Sequence, residues 1–256
     1  MIKKAVIPAA GSGTRLGPFT DAIPKELLPV GDKAIIEHVV EAFELTEVDE
    51  IAIVVSPRKH GLSDYLGSGK KFGMHFSYVV QDERLGLANA VLAGEHVVKN
   101  HQFAVVLGDN FFRPQEFLWD LIAFHEEEDA DATIGVAKVE DVTRHGIIKA
   151  EGGNAVVDLI EKPKPEEAPS DLGAIGIYAF KPSIFDAIRE TKPGYKGEFQ
   201  LTDSIKILVE WGKKVIYKEI PGIHIDIGTV KDLMRANAYY LDNGMCLALQ
   251  PQPHHL

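Results

Sequence analysis

The sequence carries one cysteine, Cys246, among its 256 residues. A lone thiol excludes an internal disulfide and a cysteine-based zinc cluster. No apolar run approaches the ~20 residues that a membrane span requires. After Met1-Ile2-Lys3-Lys4 the chain is apolar only from Ala5 to Ala10, too short for a secretory signal, so the cytoplasm is the default compartment. Positive charge is also scarce, with 27 Lys+Arg against 38 Asp+Glu and a net charge of -11. Such a surface repels nucleic acid and disfavours non-specific DNA or RNA binding. A phosphate ligand would need a small local group of cations and backbone N–H groups, because exposed charges further off are screened beyond ~10 Å at 0.1 M salt.

What is present is a globular composition, 45% hydrophobic and 25% charged, near the upper size for one hydrophobic core. No internal repeat interrupts it, and the only loose stretch, Lys162–Ser170, is too short to separate domains. The front half alternates strand and helix. Strands are expected at Ala5–Pro8, Ile51–Val55, His75–Val80 and Phe103–Leu107. Helices are expected at Asp32–Phe43, Lys59–Leu66, Leu87–Val97 and Glu116–Glu127. From Ala132 the pattern becomes strand-rich, with Thr133–Val139, Gly146–Ala150, Ala155–Ile160 and Ala174–Phe180, and Gly152-Gly153-Asn154 reads as a hairpin turn. Helices at Pro182–Arg189, Thr202–Trp211 and Val230–Leu241 follow, the last closed by Asn243-Gly244, with strand-like Val215–Ile220 and Ile223–Ile227 between the latter two. This predicts one α/β domain over 1–256, a doubly wound front half whose sheet gains antiparallel strands from the back half. In such sheets ligands lie beyond the carboxyl ends of the strands, after Ile7, Val80 and Leu107.

The first strand runs into Ala9-Ala10-Gly11-Ser12-Gly13-Thr14-Arg15-Leu16-Gly17. A Gly-x-Gly pair permits a tight turn that brings backbone N–H groups to phosphate oxygens. The loop is not a P-loop, which needs Gly-x-x-x-x-Gly-Lys-[Ser/Thr]. Nor is it the dinucleotide fingerprint, because Leu16 takes the third glycine position and Pro18, Pro24 and Pro29 oppose the helix that must open there. It offers Arg15, whose fork can bridge terminal phosphates, and Lys25, a point charge for one phosphoryl group. Taken alone, each reads as readily as an ordinary surface cation.

Gly11-Ser12-Gly13-Thr14-Arg15-Leu16 followed by Pro24-Lys25 resembles the signature of the sugar-1-phosphate nucleotidylyltransferases. The resemblance continues in order through Gln81 with Leu85-Gly86-Leu87-Ala88, Leu107-Gly108-Asp109-Asn110, Glu161-Lys162-Pro163, Gly197–Asp203 and Asp226-Ile227-Gly228-Thr229. Segments 22–29 and 198–203 are similar to bacterial glucose-1-phosphate uridylyltransferases, whereas 107–110 and 226–229 are closer to the thymidylyltransferases, which leaves UTP and dTTP both open. The resemblance implies a Rossmann-like three-layer αβα nucleotide-diphospho-sugar transferase fold with a mixed, mainly parallel sheet. Residues 1–130 would form the nucleotide half, 131–229 the sugar-phosphate half, and 230–256 a terminal helix and tail.

It also implies roles. Ala10, Gly11, Gly13, Thr14, Arg15, Lys25, Gln81 and Gly86 would bind the nucleotide, with Gly86 leaving room for the base. Asn110, Gly146, Glu161, Lys162 and Ala174 would bind the sugar phosphate. Arg15, Lys25, Asp109, Lys162 and Asp226 would be catalytic, and Asp109 and Asp226 would hold Mg²⁺, which is usually held by one or two carboxylates plus substrate phosphates. Asp109 and Asp226 each follow a strand-like segment, where a carboxylate can face the pocket; the alternatives are a helix N-cap for Asp109 and a turn residue for Asp226, and without the family Glu161-Lys162-Pro163 reads as a solvated turn. Gln81 suits a pyrimidine edge because an amide offers both donors and an acceptor.

The partners implied are UTP or dTTP, a sugar 1-phosphate of the glucose 1-phosphate type, and a further copy of the chain in a homo-oligomer. With only a short stretch after the last helix, the second domain that some members of that family add is not expected. A nucleotide-sugar-consuming glycosyltransferase would be expected to carry Asp-x-Asp where Asp109-Asn110-Phe111 stands. A non-catalytic nucleotide-sugar sensor would have no need of the five catalytic candidates together. His60, His75, His101 and His224 show no paired metal spacing, Glu126–Asp129 reads as a solvated helix end, and His254-His255 and Cys246 carry no chemistry.

Overall fold

The structure is a computed structural model and describes residues 1–57, 59 and 61–243. His60, Gly244, Cys246, His254 and His255 lie outside the described residues. In chain order the strands are β1 (Lys4–Pro8), β2 (Pro29–Val30), β3 (Lys33–Ala34), β4 (Glu50–Val55), β5 (His75–Val80), β6 (Phe103–Val106) and β7 (Asn110–Arg113). The back half adds β8 (Ala132–Lys138), β9 (Gly146–Glu151), β10 (Ala155–Glu161), β11 (Leu172–Phe180), β12 (Val215–Glu219) and β13 (Ile223–Asp226). The helices are α1 (Phe19–Ala22), α2 (Ile35–Glu44), α3 (Gly61–Leu66), α4 (Leu87–Ala93), α5 (Glu95–Val98), α6 (Phe117–Glu127), α7 (Ser183–Glu190), α8 (Leu201–Glu210) and α9 (Val230–Asp242).

Nine strands form one sheet in the order β5-β4-β1-β6-β11-β8-β12-β10-β9. The first four are mutually parallel, β11 and β10 run against their neighbours, and β8 and β12 are parallel to each other. Direction carried through these pairings leaves only β10 and β11 opposed to the rest, the mixed but mainly parallel sheet expected. Each face is buried separately. One apolar layer joins α2, α6 and the β1–β4 face through Ile36, Val40, Phe43, Phe117 and Leu121; the other joins α4, α7 and α8 through Val91, Phe185, Ile205 and Leu208. Helix α2 places Ile35, Ile36, Val39, Val40 and Phe43 inside, each contributing roughly 1.5–3 kcal/mol of burial.

The structure differs from the sequence reading at three places. The helix expected from Asp32 starts at Ile35, because residues 29–34 form the β2–β3 hairpin with Gly31 in the left-handed region. The helix expected over Leu87–Val97 breaks into α4 and α5 at Gly94. A Cβ there would lie 2.8 Å from Val6 Cγ2, so glycine lets the helix pair press onto β1. Strand β7 has no counterpart among the strands expected from the sequence. Asp109, open to reading as a helix N-cap, instead precedes an extended segment paired with β13.

One buried group makes the fold sensitive to acid. His125, on α6, is fully buried, with Nδ1 2.8 Å from Thr133 Oγ1 and, among the described residues, no hydrogen-bond partner for Nε2. Burial, with Lys181 adding, pushes its imidazole down to about 4. The folded state therefore binds this proton less well than the unfolded chain does. Its contribution is complete above the ordinary histidine value of 6.5 and is lost as pH falls from there toward 4, by about 3 kcal/mol. Denaturant titrations of wild type and His125→Asn at pH 7 and pH 4 should show the variant losing less stability by about that amount. Parallel losses would refute the assignment.

Candidate functional site

Because β5, β4, β1 and β6 run the same way, their carboxyl ends open on one edge of the sheet, where a cleft of about 600 Å³ lies. Ala10, Gly11, Arg15, Lys25, Gln81, Gly86, Asp109, Asn110, Gly146, Glu161, Lys162, Ala174 and Asp226 all line it. Gly13 and Thr14 do not. Gly13 instead turns the chain in the left-handed region at φ 66, and Thr14 is exposed.

Glycines give the charged groups their seats. Lys25 sits on a single 3₁₀ turn, Lys25–Leu27, and its ammonium lies against Gly11, where a Cβ would stand 3.3 Å from Nζ. The Arg15 guanidinium rests on Gly228, where a Cβ would stand 2.7 Å from one terminal nitrogen. Gly146 closes on the far wall, where a Cβ would meet Thr202 Oγ1 at 2.4 Å and Glu161 Oε2 at 3.1 Å.

The two aspartates, 117 positions apart in the chain, are joined by the β7–β13 pairing, which sets Asn110 opposite Asp226. The Ile227 N–H donates to the Asp109 carbonyl at 3.1 Å. Beneath them Leu16, Phe111, Ile225, Ile227, Leu233 and Tyr240 form an apolar platform, so Arg15, Asp109 and Asp226 stand on one packed base. Burial, and next the Asp109 charge, push the Asp226 carboxyl up to about 6. Lys25 donates to Asp109 Oδ2. Burial opposes the charge on both partners, yet each holds the other ionised: the Asp109 carboxyl sits below its ordinary value and the Lys25 ammonium above its own. Two neighbouring carboxylates, Asp109 buried and Asp226 half-buried, are a donor set for a hard divalent cation that takes its other oxygen ligands from water or phosphate. Among the described residues no cluster of three His, Cys, Asp or Glu offers a cation a complete protein cage.

On the opposite wall Glu161 accepts Lys162 Nζ at 2.7 Å on Oε1 and the Thr202 hydroxyl at 2.6 Å on Oε2. Lys162 itself lies 5.1 Å over the Tyr195 ring and holds a left-handed backbone, φ 46. Ala174 precedes a bulge in β11, where Gly176 turns left-handed and Asn110 Nδ2 donates to the Ile175 and Gly176 carbonyls at 2.6 and 3.2 Å. The Asn110 amide is thus committed to holding β7 against β11, which leaves its Oδ1, 3.3 Å from His224 Nε2, as the end facing other groups. Gln81 Nε2 donates to Asn89 Oδ1 at 2.6 Å and to the Gly86 carbonyl at 3.4 Å. At Gly86, φ 119, the missing side chain is required by the protein: a Cβ would stand 2.5 Å from the Phe199 carbonyl oxygen. That close approach by itself requires glycine there.

Residues that the sequence did not single out also line the cleft: Arg84, Arg144, His145, Gln200, Thr202 and, dismissed on spacing, His224. Burial pushes the His224 imidazole down to about 3, so it is a neutral wall. Arg144 donates to the buried Asp232 carboxylate at 3.1 Å, and Thr229 caps α9 on the same residue. Gln200 and Thr202 stand inside the segment Gly197–Asp203 that carries the resemblance; only tertiary pairing reveals the others.

No helix among the described residues is long and apolar enough to cross a membrane. The sequence profile of the family described as nucleotidyl transferase matches residues 4–243. A low-salt glycan biosynthesis nucleotidyltransferase from Haloferax volcanii is 34% identical over 94% of this chain, and the chain spans 66% of that longer relative. A UTP–glucose-1-phosphate uridylyltransferase from Mycoplasma pneumoniae is 34% identical over 93% of this chain and 92% of its own length. Among solved structures, a UDP-glucose pyrophosphorylase complexed with UDP-glucose superposes with a TM-score of 0.87 at 34% identity, covering 95% of this chain and 100% of that one. Extent of match, shared architecture and a cation-lined cleft at the expected sheet edge agree, and the chain belongs to the nucleotidyl transferase family of enzymes.

Proposed function

We propose that the protein transfers a uridylyl group from UTP to glucose 1-phosphate, giving UDP-glucose and pyrophosphate, with dTTP as a competing donor. The observation that carries this reading is the meeting of Arg15, Lys25 and Lys162 with Asp109 and Asp226 around one cleft. Two substrates that repel each other need such an arrangement, and alignment alone can supply ~7–11 kcal/mol of the barrier.

An oxygen of the sugar phosphate attacks the α-phosphorus of the triphosphate in line, a new P–O bond forms, and the bond to the β-phosphate oxygen breaks as pyrophosphate leaves. The nucleophile is ionised at neutral pH, since a phosphate monoester loses its second proton near ~6, so no general base and no covalent enzyme intermediate are required. The neutral His224 fits that scheme. Lys25 stabilises charge growing on the α-phosphate, Arg15 holds the departing pyrophosphate, and Lys162 orients the attacking phosphate. Asp109 and Asp226 would hold Mg²⁺, which when bound neutralises phosphate charge and orients the triphosphate. Gln81, its NH₂ already engaged, accepts the pyrimidine N3–H on Oε1. Uracil and thymine share that edge, and their 5-methyl difference is worth only ~1–3 kcal/mol in an apolar pocket. Glu161, fixed on both oxygens, accepts sugar hydroxyls with its remaining lone pairs. Residues 1–130 thereby serve mainly the nucleotide and 131–229 mainly the sugar phosphate.

A panel of nucleoside triphosphates against several sugar 1-phosphates with Mg²⁺, read as pyrophosphate release, tests the reading; no release from any pair would remove it. Within that assay, Lys162→Ala should raise the KM for glucose 1-phosphate by about 10²-fold, the scale of a charge-assisted hydrogen bond, with the UTP KM nearly unchanged. An unchanged sugar-phosphate KM and turnover would refute its role.

A further inference from the structure

Directly after Lys25 comes Glu26, a carboxylate with no solvent exposure. Lys59, also buried, places Nζ 2.7 and 2.6 Å from its two oxygens and 2.9 Å from the Ala9 carbonyl. Removing two charges from water is expensive, and a buried ion pair often stabilises a fold no better than apolar residues of the same volume. Stability alone is therefore a weak reason for the pair.

Its position supplies a better one. Lys59 follows the end of β4, Ala9 follows β1, and Gly108 follows β6. These are three adjacent strands of the sheet. Gly108 packs onto the same point, since a Cβ there would stand 3.2 Å from Ala9 Cβ and 3.4 Å from Glu26 Cγ. One charge pair thus ties the start of the glycine-rich loop to the turn that bears Lys25, beside the segment that delivers Asp109.

We propose that Glu26 and Lys59 are positioning residues: without touching substrate, their pair fixes the Lys25 turn and the Ala9–Gly11 backbone so that the Lys25 ammonium faces the phosphoryl group to be transferred. This rests on the function proposed above. Glu26 also adds its charge to those of Asp109 and Asp226 in keeping Lys25 protonated.

The test compares Glu26→Met/Lys59→Met with Glu26→Gln, Lys59→Arg and wild type. The double apolar variant should melt within a few degrees of wild type while kcat for pyrophosphate release falls at least 30-fold and the KM for glucose 1-phosphate changes less than twofold. Lys59→Arg, which keeps the charge, should recover most of that kcat. Wild-type kcat in the double variant, or in Glu26→Gln should the double variant not fold, would overturn the proposal. A readout without turnover separates this from the functional reading. The ¹³Cε resonance of Lys25, assigned through Lys25→Arg, should shift or broaden in the double variant and in Glu26→Gln. An unmoved resonance in both overturns the positioning role, whereas absence of wild-type turnover with every substrate pair overturns the function and leaves the resonance to decide the positioning.

Discussion

Lys25→Met is expected to lower turnover by at least ~10³-fold, about 4 kcal/mol of transition-state stabilisation. The ammonium lies at the end of β1 in a half-enclosed cleft, where a fixed charge acts through a lower dielectric than water and needs no reorganisation during reaction. Lys25→Arg is expected to recover little of it. The guanidinium is broader and more rigid than an ammonium, and the ammonium already lies close on the Gly11 backbone, where an added Cβ would stand 3.3 Å from Nζ. The methionine variant also strands the Asp109 carboxylate, which is buried beside Asp226 and paired with Lys25. Leaving one member of a buried pair alone costs about 3–5 kcal/mol, so the variant should unfold earlier than wild type. Lys25→Met/Asp109→Asn separates the two effects, because removing the orphaned charge should restore the melting temperature without restoring pyrophosphate release. A folded Lys25→Met protein within tenfold of wild-type turnover would contradict the role.

The division between what the sequence discloses and what it hides follows from contact range. Buried parallel strands such as Ile51–Val55 announce themselves as β-branched runs, and amphipathic segments such as Ile35–Phe43 by their spacing, since both signals are local. Strand β7 gives no such signal: Asn110–Arg113 is four residues long, and its extended shape is set by β13, more than a hundred residues away. That pairing is also what turns two separate aspartates into one site. In the same way nothing local marks Glu26 as buried until Lys59 is seen against it. Arg144 is drawn to the cleft mouth by Asp232, 88 positions later. Gly86 lines the cleft, and the Phe199 backbone pressed on it is a contact that no spacing rule contains.

Asp226→Asn should separate activity from stability in opposite directions. Its carboxyl is raised to about 6 by burial and by Asp109, above the 3.8 it starts from. The folded state therefore binds this proton more tightly than the unfolded chain. Its favourable contribution is present at low pH and is lost as pH rises through 6, so that by pH 8 the ionised group costs about 2–3 kcal/mol. An amide does not carry that cost. In chelator at pH 8, urea titrations should find Asp226→Asn more stable than wild type by about that amount, with the gap shrinking to about 1 kcal/mol at pH 4.5. With Mg²⁺ and substrates the same variant should lose at least ~10²-fold in pyrophosphate release, since one of two carboxylate donors to the cation is gone. A variant no more stable than wild type at pH 8 would mean that the two carboxylates do not crowd each other. Undiminished release would mean that they do not share an ion. The crowding and the chemistry have one source: Lys25 offsets the charge of Asp109, the second carboxylate is relieved by a proton at low pH, and a bound cation would relieve both at once.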